Sequence, residues 1–393
     1  MATDSITGFL ASALGEKEKA EFLIVLCFLI SLFFSAFVLP RVLVISKRKR
    51  LYDDPNARKS HTQAVPRLGG FVFVPAICIS LSFTTAVRFM MNFPFNSALT
   101  GYTLLELLFL LTGALFLYLV GVKDDLIGVR YRKKFMAQFL VASLFPLSGL
   151  YLNNMYGLFG VYELPALIAV PFSIVLVVYI TNAINLMDGI DGLAAGGSLI
   201  SFITFGILFF LKSEWVYCML AFSIVGCVLP FLFYNTLGSV SHGTKIFMGD
   251  SGSLSLGYLL AFFAIKYAMY IPESGYHVED MIIPFSLLFI PVFDALRVMI
   301  VRFYQRVPVF LADRNHIHHK CLDAGFTHLQ ATGLLLGYTL IMLLFNLMLV
   351  EYVNFNIVVV VNMLFGILMN YLLGIKIGQR KIAHKVSMSG LKK

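Results

Sequence analysis

Several aspartates of this 393-residue chain stand where polar segments meet apolar stretches. Asp124 and Asp125 are adjacent in GVKDDLIG, Asp188 and Asp191 lie in NAINLMDGIDGLAAG, Asp250 in FMGDSGSLSLG and Asp294 in PVFDALRV. Two neighbouring carboxylates repel, so one takes up a proton unless a cation compensates. Lys123, Lys133, Lys134 or a divalent metal would supply that charge, and the plainer alternative is a solvated pair beside a basic cluster. Asn182, Asn185 and Asp188 are spaced by three and would form one polar stripe on a helix. Asn offers a hard cation a neutral oxygen and Asp a charged one. The alternative is a hydrogen-bonded packing motif between helices. Asp250 follows a glycine just before an apolar run, where a carboxylate can also serve simply as a helix cap. Phe247 offers a face on which a flat base could stack, or plain packing.

The last cluster is DRNHIHHKCLDAG, with His316, His318 and His319 beside Arg314 and Lys320. Zinc is disfavoured, since HIHH has neither an i, i+4 histidine pair nor cysteine at metal-ligand spacing. A donor-rich wall for phosphate groups suits these residues better. Together the clusters describe acids for a hard cation, cations for phosphates and an aromatic for a base. Phosphoryl transfer needs mainly positioning and charge neutralisation, which these residue types supply.

The elements that must position these groups are membrane helices. Of the residues, 59% are hydrophobic and 13% charged, about half the charged share of soluble domains. Hydropathy and length predict an all-α, polytopic transmembrane bundle of about eleven spans. Their cores lie near 22–45, 68–90, 103–121, 135–152, 163–182, 196–211, 215–234, 253–271, 281–301, 331–350 and 354–375. Residues 1–21 read as an extracytoplasmic tail without a basic signal-peptide start, 22–375 as one catalytic membrane domain and 376–393 as a basic cytoplasmic tail. Basic residues crowd the first, third and ninth loops and the C-terminal tail. This predicts an outward N-terminus, an inward C-terminus and the acidic clusters on the cytoplasmic side. The net charge of +9 therefore reports orientation rather than a nucleic-acid partner. Cys27, Cys78, Cys218, Cys227 and Cys321 have no metal-ligand spacing and read as packing residues.

In DDPNARKSHTQAVPRLGG from Asp53, and in the GVKDDLIG, NAINLMDGIDGLAAG, FMGDSGSLSLG, PVFDALRV and DRNHIHHKCLDAG segments, in that order, the chain resembles the polyprenyl-phosphate N-acetylhexosamine-1-phosphate transferases. The resemblance spans most of the chain. It implies transfer of a sugar-1-phosphate from a UDP-N-acetylhexosamine to undecaprenyl phosphate, with release of UMP, at the inner membrane of a bacterium. It further implies Mg²⁺, with Mn²⁺ as a substitute, on Asp250 and Asn185. It places Asp124 and Asp125 at the lipid phosphate, Lys134 and the histidines His316, His318 and His319 at the phosphates, and Phe247 and Asp191 at uracil. Asn182, Asp188, Arg314, Lys59 and His61 are the remaining expected substrate contacts. Muramoyl-pentapeptide enzymes usually carry three consecutive histidines here, whereas this chain has HIHH, and Gly128 where they have lysine. It therefore looks like the branch that primes O-antigen, capsule or teichoic-type glycans with GlcNAc-1-phosphate. The muramoyl enzymes are the alternative, and an ion-coupled transporter is the alternative of another class, although no internal repeat supports it. A homodimer is left open.

Overall fold

Apolar stretches in hydrocarbon must pair every backbone N–H and C=O within themselves, and so become helices. A computed structural model describes residues 15–49, 51–53, 65–91, 101–269, 277–308 and 315–390. Lys59, His61 and Arg314 lie outside the described residues. The helices in chain order are α1 (Glu16–Arg48), α2 (Phe73–Met90, after a 3-10 turn at Gly69–Val72), α3 (Gly101–Ile127), α4 (Tyr131–Ala142) and α5 (Leu144–Leu147). There follow α6 (Ala166–Met187), α7 (Leu193–Leu211), α8 (Trp215–Leu237), α9 (Gly249–Ala268), α10 (Val278–Tyr304), α11 (Ile317–Asp323), α12 (His328–Leu349) and α13 (Phe355–Gly390). The strands form two small antiparallel pairs. β1 (Tyr52–Asp53) lies on β2 (Val65–Pro66), and β3 (Asn154–Leu158) on β4 (Val161–Glu163).

Among the described residues, nine helices are long and apolar enough to cross a membrane. The protein is an all-α, multi-pass membrane bundle. Every segment read as a span is helical, but two differ in kind. Segment 135–152 divides into α4 and α5, of 12 and 4 residues, where a crossing takes ~20. Pro146 and Gly149, the latter at φ 86°, end it early. Helix α9 carries serines and glycines in its first turns, and all of it except Lys266 is buried. It is the axis of the bundle rather than a lipid-facing span.

Small residues make that central position possible. A Cβ on Gly70 would stand 2.1 Å from the Gly252 Cα, and one on Gly121 2.5 Å from the Ser251 Cα. Helix α9 packs along α3 and α6 and also meets α7 and α10. Helix α1 packs on α8, where Ser31 and Ser35 donate to the Ser223 and Cys227 carbonyls at 2.6 and 2.8 Å. At one end of the bundle Lys266 pairs with Glu106 at 2.8 Å and Lys212 with Asp280 at 2.6 Å. At the other end the C-terminal ends of α3 and α6 meet the start of α9 and the short helix α11. Several of the residues singled out in the sequence, among them Asp124, Asn185, Asp188, Asp250 and His318, come together there.

Candidate active site

The start of α9 anchors the site. Gly249 sits at φ 74°, and a Cβ there would fall 2.0 Å from the Arg67 carbonyl oxygen and 2.7 Å from the Asp125 carboxylate. A side chain is excluded by both the backbone conformation and the space. Asp250 occupies the first turn and does not cap its own helix. The cap comes from α3, where the Asp125 carboxylate accepts the N–H groups of Asp250 at 2.8 Å and Ser251 at 3.0 Å. The preceding loop is zipped to the PRLGG segment. Phe247 N–H donates to the Pro66 carbonyl at 2.8 Å, and the N–H groups of Gly69 and Gly70 donate to the carbonyls of Phe247 and Met248 at 2.9 and 2.7 Å.

Asp124 points away from this anchor. Its carboxylate accepts the Val129 N–H at 2.5 Å and meets the Lys134 ammonium at 3.3 Å. Lys134 also pairs with Asp250, so two carboxylates from different helices share one cation. The other Asp250 oxygen accepts from Asn185 Nδ2 at 2.7 Å, and Nδ2 also donates to Ser253 Oγ at 2.7 Å. Burial alone would push the Asp250 carboxyl up. Contacts with Asp124, Lys134 and Asn185 outweigh it and hold the group below the usual carboxylate range. Burial likewise opposes the charge on Lys134, but Asp250 and Asp124 hold that amine above its ordinary value. Asp188 lies just past the end of α6, where burial and then the charges of Asp250 and Asp125 raise it well above the ordinary carboxylate value.

Beside these groups lies a cavity of about 620 Å³. Asp124, Lys134, Asn185, Asp188, Arg302, His316, His318 and His319 line it together with apolar residues that include Phe135, Phe139, Val175, Val178, Val298 and Met299. His316 precedes α11, and His318 and His319 lie within it. His318 is buried against Gly189, and its Nε2 has no hydrogen-bond partner among the described residues. Burial, followed by His319, lowers its pKa well below the ordinary imidazole value.

Other expected residues take different places. Asn182 lines the cavity, but its amide exchanges hydrogen bonds with Gln138 at 2.5 and 3.3 Å, the packing alternative. Asp191 and Phe247 are not among the residues lining this cavity. Asp191 is paired with Lys245 at 2.9 Å and His328 at 3.1 Å, and their pull outweighs burial and keeps its pKa low. Neither partner was evident from the sequence, because pairs from such separate segments leave no spacing signal. Arg302 was legible only as one of several loop cations, and Asp294 only as an acid near a span end.

Among the described residues no three His, Cys, Asp or Glu side chains are grouped to hold a metal by themselves, so a divalent ion here would rest on two carboxylates and on substrate oxygens. The Asp124 and Asp250 carboxylates already converge on a positive charge, and Mg²⁺ is typically held by one or two carboxylates together with substrate phosphates. Asn185 is seen as a donor that orients Asp250.

Residues 107–268 match glycosyl transferase family 4. A Bacillus subtilis protein named "Probable undecaprenyl-phosphate N-acetylglucosaminyl 1-phosphate transferase" is 31% identical over 310 residues, 78% of this chain and 79% of that one. The undecaprenyl-phosphate alpha-N-acetylglucosaminyl 1-phosphate transferases of Yersinia pestis and Escherichia coli K12 are 30% and 28% identical, over 72% and 73% of each chain.

Proposed function

The chain belongs to glycosyl transferase family 4, among the polyprenyl-phosphate N-acetylhexosamine-1-phosphate transferases, and on that premise we propose that it transfers GlcNAc-1-phosphate from UDP-GlcNAc to undecaprenyl phosphate, releasing UMP. The mixed lining of one cavity is the observation that carries this reading. A lipid phosphate needs apolar contacts for its chain and cationic, donor-rich groups for its head, and residues of both kinds line one space. The basic loops would turn the site toward the cytoplasm, where a nucleotide sugar is available. The reaction would then be the first membrane step of a cell-surface glycan pathway in a bacterial inner membrane.

In this mechanism an acceptor phosphate oxygen attacks the phosphorus that bears the sugar. The new P–O bond forms as the bond to UMP breaks, and the electron pair leaves on the UMP phosphate. The acceptor is already anionic, so no covalent enzyme intermediate is needed. Asp124 and Lys134 orient the acceptor phosphate. Asp125 holds the start of α9 and so fixes Asp250. His316, His318 and His319 face the pyrophosphate, and Arg302 adds a cation to the same wall. Asp250, with Asn185 beside it, would hold Mg²⁺, which neutralises charge on the pyrophosphate and on the departing UMP. Asp191 and Phe247, on the neighbouring loops, read the uracil.

The test is a donor panel. Purified protein with Mg²⁺ and undecaprenyl phosphate receives UDP-GlcNAc, UDP-GalNAc, a UDP-6-deoxy-HexNAc or UDP-MurNAc-pentapeptide, and UMP is measured. UMP release with UDP-GlcNAc is expected. Turnover with the muramoyl donor alone would move the protein to the other branch. No UMP with any donor, together with an ion-coupled solute flux, would refute the transferase.

A further inference from the structure

Asp294 is a buried carboxylate that the mechanism above does not use. It lies on α10, and one of its oxygens meets His316 Nδ1 at 2.8 Å. Both oxygens accept the Ile317 N–H at 3.1 Å, and the Arg297 guanidinium donates to Oδ1 at 2.7 Å from Nη2 and 3.2 Å from Nε. The same Nη2 donates to the Asn315 carbonyl. One carboxylate thus fixes a ring, a helix start and, through Arg297, the backbone just before both.

The helix needs that anchoring. Helix α11 has seven residues, too few to be stable by local hydrogen bonding. No side chain of its own segment caps it, so the Asp294 carboxylate supplies the missing acceptor at its first N–H. With Nδ1 held by the carboxylate, Nε2 is the ring atom left to serve the cavity that His316 lines.

We propose that Asp294 is the positioning residue of the transfer reaction, holding the His316 imidazole and the start of α11 so that Nε2 is presented to the phosphates. The inference rests on the transferase reading. Partners that orient a metal-binding imidazole are typically worth 10–100-fold, and a loss of that order is expected for a phosphate-facing ring. Asp294→Asn is expected to lower kcat by roughly tenfold to a hundredfold while KM for the donor stays within about threefold. His316→Ala is expected to lose at least as much. The double variant should lose less than the product of the two single effects, because part of what Asp294 does passes through that ring. Added imidazole should restore turnover to His316→Gly, and to a much smaller extent to His316→Gly/Asp294→Asn. Multiplying effects in the double variant, or equal rescue in both backgrounds, would overturn the proposal.

A second measurement does not depend on the reaction. Amide hydrogen exchange over residues 315–323 should rise at least about tenfold in Asp294→Ala but not in His316→Ala. Unchanged exchange in Asp294→Ala refutes the anchoring even if the wild-type protein transfers no sugar, a result that would sink only the transferase reading. Gel filtration in detergent identifies a variant that has lost its fold, and Asp294→Asn then carries the exchange test.

Discussion

Adjacent aspartates with the same chemistry should fail in different ways when neutralised. Asp125 accepts two backbone N–H groups at 2.8 and 3.0 Å from the first turn of α9, while Asp124 accepts one N–H and pairs with the partly exposed Lys134. Asp125→Asn keeps one acceptor and turns an NH₂ toward the other N–H. Hydrogen bonds to a charged group contribute ~1.5–3 kcal/mol each, and a buried N–H left without a partner costs ~1–3 kcal/mol. Loss of the carboxylate charge at the helix N-terminus adds ~0.3–1 kcal/mol. One weakened bond and one lost bond therefore give about 3 kcal/mol of destabilisation. Asp124→Asn keeps the Val129 contact and loses an ion pair worth about 1 kcal/mol or less. Both variants should lose transfer activity by a hundredfold or more, in rough proportion to an oxyanion- or metal-site lesion. Only Asp125→Asn should lower the thermal unfolding midpoint, by several degrees, in a detergent-solubilised thermal-shift assay. If the two variants shift the midpoint equally, or if Asp125→Asn is inactive but as stable as wild type, then Asp125 acts on substrate and not on the helix start.

Other perturbations test the same architecture. Gly249→Ala places a methyl 2.0 Å from the Arg67 carbonyl oxygen at a positive φ, so it should abolish activity and destabilise by about 3 kcal/mol, read by urea or thermal unfolding. Lys266→Met leaves Glu106 buried without its cation at the end remote from the site, and should cost about 3 kcal/mol of stability. Its kcat at permissive temperature should stay near wild type, and adding Glu106→Gln should recover most of the stability; a large loss of kcat would show that the two ends are coupled. Removal of divalent ions with EDTA should stop UMP release, and Mg²⁺ should restore it in the wild type but not in Asp250→Ala. Full activity in EDTA would refute the assignment of Asp250 and Asn185 as metal ligands.

The bundle was legible because hydrophobic length is a one-dimensional property, and the backbone in hydrocarbon has little choice but helix. Hydropathy did not mark the break between α4 and α5 within 135–152, because it averages over the residues that interrupt the helix there. It also treated α9 as an ordinary span, although its serines and glycines mark close packing rather than lipid contact. The site followed a similar division. Residue types and motif order alone were enough to single out Asp124, Asp125, Asn185, Asp250 and the HIHH segment. The division of labour within the Asp124–Asp125 pair was not decided there, because neighbouring carboxylates have the same intrinsic chemistry. The fold turns one toward the α9 amides and the other toward Lys134 and the cavity. Contacts such as Asp191–Lys245 and Asp294–His316 likewise join segments that are separate in the sequence. The sequence by itself determined the membrane helices and the kinds of groups at the site. Only the tertiary structure decided which group faces the cavity, because direction and distance arise when helices pack, not from spacing along the chain.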